Sequence, residues 1–405
     1  MKTVVQSTGS YQPDGWIQWP DHPELSFQFS RVLAAAQEGA SMISECFRAA
    51  SRMQPGDVES WYREWFRLGE VSDARATAAE AAGHLQTAQN NWLRAANYYR
   101  SSEFYLEGHD KRRIETFDRI EANSRRVMAL MSPAGEVVKV PYEDGAHLDA
   151  YFLRAPRALA KTPVVICFGG LDEYKDELLH EITRHAFARG LSLLLVDLPG
   201  QGGTLRRQKI VNRFDTEVPV GRCVDYLLAR GDIDPGRIAL YGASLGGYYA
   251  PRAASFEHRI AAVVADCVLF SMPLRDRADQ PDLLIWRHLK WVFGSDSIEG
   301  VIAKADKFSL EGTIDKIRCP FLIVHGEHDF VGTQTAIDAY DYAKGHGVKV
   351  EIKWFTEEET GASHCQIDNL TIGMEYVCDW LAKILNVDER ELRKQPIAFA
   401  SSPSL

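Results

Sequence analysis

No run in this sequence is long and apolar enough to span a bilayer. Its opening, MKTVVQSTGSYQPDGW, holds no apolar core of the kind a secretory leader needs. No signal peptide is therefore expected, and the expected location is cytoplasmic. Positive charge is not in excess: 46 Lys and Arg stand against 56 Asp and Glu, a formal net charge of −10. Phosphate backbones and anionic surfaces repel such a chain, which argues against nucleic acid or membrane as a partner. Cysteine is scarce. The seven thiols, Cys46, Cys167, Cys223, Cys267, Cys319, Cys365 and Cys378, are odd in number and include no C-x-x-C pair. Several lie in apolar runs (VVICFGG, VVADCVLF, IRCPFLIV). Buried reduced thiols are expected in place of disulfides or a metal site, and no metal or cofactor is expected.

What the sequence does have is two kinds of pattern, in 405 residues that exceed one ordinary core. From about Phe27 to Met131 it is rich in Ala, Arg, Glu and aromatics and almost free of proline. Apolar residues there recur at helical spacing: Trp61, Trp65 and Leu68, then Trp92, Ala95, Ala96 and Tyr99. Part of the run looks like a tetratricopeptide helix, but no second copy follows at the period of about 34 residues that an array requires. The expectation is one helical unit, residues 1–135, whose aromatics pack its interior and in part line a pocket.

From residue 136 strands alternate with helices. Candidate strands are EVVKVPY (136–142), HLDAYFL (147–153), PVVICF (163–168), LSLLLVD (191–197), RIALYG (237–242), IAAVVAD (260–266), PFLIVHG (320–326) and VKVEIKWF (348–355). The first two, joined by EDGA, read as an antiparallel pair. The later ones are short, continuously apolar and separated by helical patterns near 173–189, 216–231, 244–256, 333–345 and 366–386. That is the pattern of a parallel sheet buried on both faces. The expected class is α/β, with an eight-stranded, mostly parallel sheet across 136–390. Segment 270–312 is longer than a crossover needs and reads as an insertion near the site. Residues 391–405 read as a poorly ordered tail.

Chemistry concentrates in YGASLGGYY, Tyr241 to Tyr249. Gly242-Ala243-Ser244-Leu245-Gly246 fits G-x-S-x-G, follows a predicted strand and opens a predicted helix. A tight strand-to-helix turn lifts the serine oxygen above the sheet, and small residues at Gly242 and Gly246 let the backbone pass closely. A merely structural glycine-rich turn is the competing reading, and it does not require this context. A serine nucleophile needs a base and an orienting acid, which follow such an elbow along the chain on loops beyond later strands. Asp329 stands just beyond the seventh strand and His364 beyond the eighth. The competitors are weaker. Asp266 ends the sixth strand without the usual loop after it, and Asp315 precedes its strand. His325 and His328 flank Asp329 too closely to reach the serine independently. His180 and His185 read as surface or packing residues, and Asp197 as a turn residue in VDLPGQGGT. The expected oxyanion donors are the backbone N–H groups of Leu245 and of Leu171, in Phe168-Gly169-Gly170-Leu171-Asp172. Asp172 has two readings: an N-cap for the next helix, or a group that orients substrate or handles a proton.

CFGGLDEYKDEL, LLLVDLPGQGGT, YGASLGGYYAPR, FLIVHGEHD and GASHCQID together resemble the α/β-hydrolase superfamily over most of 136–386. WYREWFRLGE and WLRAANYYRSSEFYL resemble the N-terminal part of one subgroup. It contains 2,6-dihydropseudooxynicotine hydrolase, the fungal polyketide-shortening hydrolases of melanin synthesis and the fermentation-respiration switch esterase-like proteins. The resemblance implies an N-terminal helical lid, a homodimer, and a hydrolase able to cleave carbon–carbon bonds. Such cleavage expels a carbanion, which is feasible only as an enolate or a phenol-like equivalent. The implied substrate is a flat, hydrophobic small molecule, a polyketide-like or aryl 1,3-dicarbonyl. The alternatives are an esterase or thioesterase, an acyltransferase or cyclase with the same triad, and a catalytically silent binding protein. A peptidase fits less well, because residues 1–135 do not read as a β-propeller.

Overall fold

The computed structural model describes residues 17–157, 161–272, 274–281 and 283–397. Most of the stretch in which no signal peptide is expected, two positions of segment 270–312, and residues 398–405 of the expected tail lie outside the described residues.

Five helices come first: α1 (Pro23–Ala34), α2 (Ile43–Ala50), α3 (Val58–Ala81), α4 (Leu85–Glu103) and α5 (Lys111–Ala129). Asp57 and Asp110 accept backbone N–H groups at the starts of α3 and α5, which satisfies donors a helix N-terminus leaves open. Trp61 and Trp65, one turn apart on α3, pack with Trp19, Phe29 and Tyr98 in one apolar cluster. The Trp61–Trp65 and Trp65–Tyr98 ring centroids are 5.7 and 5.8 Å apart, contacts worth about 0.5–1.5 kcal/mol each beyond area burial. Trp92 packs elsewhere, against Val127 and Met128 of the same helical region and Tyr151 and Leu153 of the sheet. Helical periodicity thus builds an interior and also an underside that sits on the strands.

The sheet has eight strands: β1 (Glu136–Pro141), β2 (His147–Leu153), β3 (Thr162–Phe168), β4 (Ser192–Val196), β5 (Ile233–Ala243), β6 (Ala262–Asp266), β7 (Phe321–Gly326) and β8 (Val350–Phe355). Their order is β1-β2-β4-β3-β5-β6-β7-β8, with β2 antiparallel to β1 and β4 and every other pairing parallel. Strands β3, β4, β6 and β7 are buried at every position, whereas β1 and β8 at the edges keep exposed residues. That is why the central runs are continuously apolar.

Ten further helices connect and cover the strands: α6 (Lys175–Glu181), α7 (Thr183–Ala188), α8 (Gly202–Arg206), α9 (Glu217–Leu228), α10 (Gly246–Ala254), α11 (Ile285–Phe293), α12 (Ile298–Ala305), α13 (Gln334–Gly345), α14 (Leu370–Ile384) and α15 (Glu389–Lys394). The helix expected over 173–189 is two helices, Lys175–Glu181 and Thr183–Ala188, separated at Ile182. Of the tail expected over 391–405, the described part, 391–397, differs from that expectation. Asp388 caps α15, Leu392 is buried, and Arg157 holds the carbonyls of Arg393 and Gln395. One buried leucine and one arginine clamp order a segment whose composition reads as irregular. No cysteine forms a disulfide, and six of the seven are buried. Among the described residues no helix is long and apolar enough to cross a membrane.

Candidate active site

Strand β5 ends at Ala243 and α10 begins at Gly246, so Ser244 occupies the turn between them. Its φ is 57°, the left-handed region a side chain avoids unless its surroundings impose it. The imposition is visible. Ser244 N–H donates to the Asp266 carbonyl (2.9 Å), and Gly247 N–H donates to the Ser244 carbonyl (2.7 Å). A Cβ at Gly242 would lie 2.2 Å from the Gly246 carbonyl oxygen, and one at Gly246 2.9 Å from that of Gly169. The glycine spacing is therefore a steric requirement of the turn.

The structure brings Ser244, His364 and Asp329 together. Ser244 Oγ lies 2.9 Å from His364 Nε2, and His364 Nδ1 lies 2.8 and 2.9 Å from the two oxygens of Asp329. Val331 N–H also donates to Asp329 Oδ1 (2.9 Å). Burial opposes the charge on Asp329, but His364 and His325 outweigh it and hold the carboxyl below its ordinary range. Burial likewise opposes a charged His364, yet Asp329 prevails and raises the imidazole well above 6.5. Phe330 lies 4.2 Å from the His364 ring, centroid to centroid, and Phe27 of α1 lies 5.5 Å from Phe330. Two aromatic rings thus wall the imidazole.

The competing residues sit elsewhere. Asp266 takes hydrogen bonds from Tyr241 Oη (3.0 Å) and Gln366 Nε2 (3.1 Å), and burial pushes its carboxyl up to about 6. Asp315 lies in a short turn before β7. His325 is buried against the Gly332 carbonyl (3.1 Å), and exposed His328 meets Glu357. His180 is buried, which pushes it down to about 3, and His185 bonds Glu38 (3.2 Å).

Gly170 crosses directly over Ser244: a Cβ there would lie 2.6 Å from Ser244 Cβ. Gln201, in the turn after β4, donates from Nε2 to the carbonyls of Gly169 (2.6 Å) and Gly170 (2.8 Å). Its Oε1 accepts from Leu198 N–H (3.0 Å), which fixes the amide's orientation. The Gly170 carbonyl and the Leu171 N–H belong to one planar trans peptide, so holding the carbonyl toward Gln201 aims the N–H away from it. His288 of α11 anchors the next peptide, with Nε2 at 3.2 Å from the Leu171 carbonyl; burial pushes this histidine down to about 4. Neither Leu171 nor Leu245 N–H donates to a protein acceptor among the described residues.

The N-cap reading of Asp172 is corrected. The residue before α6 is Tyr174, without a side-chain cap, and the Asp172 carboxylate faces the helical region. Arg31 Nη1 is 3.1 Å from it, and Arg100 Nη2 is 3.4 Å from the Asp172 carbonyl. Burial opposes its ionisation, but Arg31 and Arg100 hold the carboxyl far below its ordinary value, so it is ionised at neutral pH. Asp197 is more than a turn residue. It is fully buried and binds Lys175 Nζ (3.0 Å), which also meets Glu121 (2.7 Å) and Asp176 (3.0 Å). Beside it Glu103 takes Arg206, Arg113 (3.3 Å) and Tyr174 Oη (3.1 Å). Glu103, Arg113 and Glu121 come from α4 and α5, so these ions fasten the helical region to α6, α8 and the turn after β4.

A cavity of about 580 Å³ opens over Ser244, within the usual range for a small-molecule site. Ser244, Leu245, Leu171 and His364 line it, as do Phe27, Phe104 and Tyr105 from the helical region and Met272, Leu284 and Trp286 from segment 270–312. The aromatics singled out in the sequence, Trp61, Trp65, Trp92 and Tyr99, are in apolar clusters instead. Sequence reasoning passed over Gln201, His288, Arg31 and Phe330. Only Phe330, next to Asp329, carries any local signal.

Two family models match: one described as esterase FrsA-like over residues 56–276, the other as the prolyl oligopeptidase family over 220–388. The chain is 30% identical to hydrolase LUC6 of a Fusarium species, covering 91% of this chain and 98% of that protein. It is 32% identical to 20-hydroxy-prefusarin hydrolase FUS2 of Gibberella moniliformis, covering 76% and 83%. The crystal structure of 2,6-dihydroxy-pseudo-oxynicotine hydrolase superposes with a TM-score of 0.74 at 24% identity, over 87% of this chain and 95% of that one, which shows a shared fold.

Proposed function

We propose that this chain, which belongs to the FrsA-like esterase family of α/β-hydrolases, cleaves a carbon–carbon bond in a polyketide-like or aryl 1,3-dicarbonyl compound through an acyl-enzyme. The observation that carries the serine chemistry is the run of contacts from Ser244 Oγ through His364 to Asp329, opening beneath an aromatic-walled cavity.

Ser244 Oγ attacks a ketone carbonyl as His364 Nε2 takes its proton. Asp329 holds the imidazole tautomer and stabilises the imidazolium. The tetrahedral oxyanion sits between the Leu245 and Leu171 amides, each contributing about 3–4 kcal/mol of transition-state stabilisation. Collapse breaks the carbon–carbon bond and the carbon fragment leaves as an enolate, which receives the proton from His364. Water, deprotonated by the same imidazole, then hydrolyses the acyl ester. Asp172 acts through the backbone: its salt bridge to Arg31 holds the loop that carries Leu171. In this reading helices α1–α5 are the lid, supplying Phe27, Phe104 and Tyr105 to a flat, hydrophobic substrate.

Ester or thioester cleavage is the second reading, favoured by the esterase description of the matching family model. The two part in one assay. Purified protein is offered β-diketones, p-nitrophenyl esters and acyl thioesters, and β-diketone turnover is expected. Brisk ester hydrolysis with untouched β-diketones would sink carbon–carbon cleavage, and turnover surviving in Ser244→Ala would sink the triad.

A further inference from the structure

Two cysteines 98 residues apart meet at the catalytic histidine. Cys267 follows β6 and Cys365 follows His364, and both take left-handed φ angles, 59° and 52°. Cys365 N–H donates to Cys267 Sγ at 3.0 Å, so the backbone of one thiol is fastened to the sulfur of the other. The two sulfurs and a ring nitrogen of His364 all lie within 4.8 Å of one another. Cys365 is half-buried and lines the cavity, whereas Cys267 is fully buried beneath it. Two carboxylates stand close by: Asp266 Oδ1 is 3.6 Å from Cys267 Sγ, and Asp329 is bonded to His364. The donor set is therefore two sulfurs and one imidazole in negatively charged surroundings, reachable from the cavity through Cys365.

We propose that Cys267, Cys365 and His364 form a binding site for a soft divalent cation, zinc or cadmium, whose occupation switches off the triad. The chemistry balances without redox: the cation displaces to water one proton from each thiol, and the proton of the captured imidazole nitrogen where it carries one, forms two metal–thiolate bonds and one metal–imidazole bond, and keeps water as the fourth ligand. Thiolate donors select a soft ion over magnesium or calcium. Metal–sulfur bonds of about 2.3 Å place tetrahedral sulfurs about 3.8 Å apart, so the cluster needs to contract by about 1 Å at most. Both nitrogens of His364 are already engaged, Nε2 by Ser244 and Nδ1 by Asp329. Capture of either nitrogen removes the base from the nucleophile or the acid from the base. Because the thiols must lose their protons to bind, binding tightens as pH rises.

The test is cadmium titration of the reduced full-length protein, followed by the ultraviolet thiolate-to-cadmium charge-transfer band and by cadmium NMR. Parent and Ser244→Ala proteins are expected to bind one equivalent tightly, with a resonance typical of two sulfurs and one nitrogen. Cys267→Ser and Cys365→Ser are each expected to weaken that equivalent at least tenfold, whatever the background from the five other thiols. In the parent, turnover of the best substrate should fall in step with the band and return with EDTA. Parent-like binding by both serine variants, or by His364→Gln with an unchanged resonance, would overturn the site. If either serine variant misfolds, alkylation of Cys365 in the parent replaces it and must abolish the tight equivalent. The band does not depend on catalysis, as the Ser244→Ala arm checks: a band in parent protein that turns over none of the substrates offered keeps the metal site and removes the hydrolase reading.

Discussion

Two groups of buried charge lie close together in this protein and behave differently. At the seam between the helical region and the sheet, Lys175 meets Glu121, Asp176 and Asp197, and Glu103 meets Arg113 and Arg206. Every member there is matched by ions or hydrogen bonds, and Arg206 and Arg113 are further packed on aromatic faces. At the carboxyl ends of the strands, Asp329 and His364 form an equally buried pair, but one imidazole nitrogen faces a hydroxyl that lines a cavity. A buried charge whose partners are all fixed fastens two elements. A buried charge that looks onto a weak acid in a cavity can move a proton.

Substitutions at the two groups should separate these roles. The largest effect is expected from Ser244→Ala, a loss of turnover of about 10⁶-fold with an unchanged melting temperature, measured by single-turnover kinetics and calorimetry. Asp329→Asn should follow at about 10⁴-fold in kcat, because the imidazole loses its tautomer and its counter-charge. The same variant sharpens a pH prediction. With the His364 pKa raised above 6.5, the active neutral form is lost as pH falls through that raised value, so the acid limb of kcat/KM lies above pH 6.5. In Asp329→Asn the limb should move to lower pH, and a limb that stays put would unseat Asp329 as its cause. At the seam, Lys175→Met should cost about 3–5 kcal/mol of unfolding free energy by denaturant titration, since three carboxylates lose their cation. Activity per folded molecule should hold, and a fall in kcat without lost stability would erase the contrast. Gln201→Leu should lower kcat about 10²-fold with KM little changed, through release of the Gly169 and Gly170 carbonyls. The smallest effect is expected from Asp172→Asn, about tenfold in kcat, with Arg31 retained by Glu177.

Much of the fold was legible because its causes are local. The central strands read as continuous apolar runs because they are buried on both faces, and the turn at Ser244 read from Gly242 and Gly246 because backbone passes within van der Waals contact of both. Asp329 and His364 followed from chain order beyond predicted strands. Asp172 was half-legible. Its position beside a helix start suggested a cap, but its partner Arg31 is 141 residues away. Gln201 read as one polar residue among turn glycines, because the carbonyls it holds come from the loop after β3. Residues 391–394 looked irregular by composition, and a buried leucine in α15 overrode that.

Residue order alone determined the α/β class, the elbow at Ser244 and which carboxylate and imidazole meet it, because periodicity, turn sterics and chain order act over a few residues or along the chain. Only the tertiary structure decided which aromatics wall the cavity, how the Leu171 peptide is aimed, where Asp172 finds its charge partners and that Cys267 meets Cys365. Those depend on contacts between residues tens to hundreds of positions apart, and no local pattern encodes them.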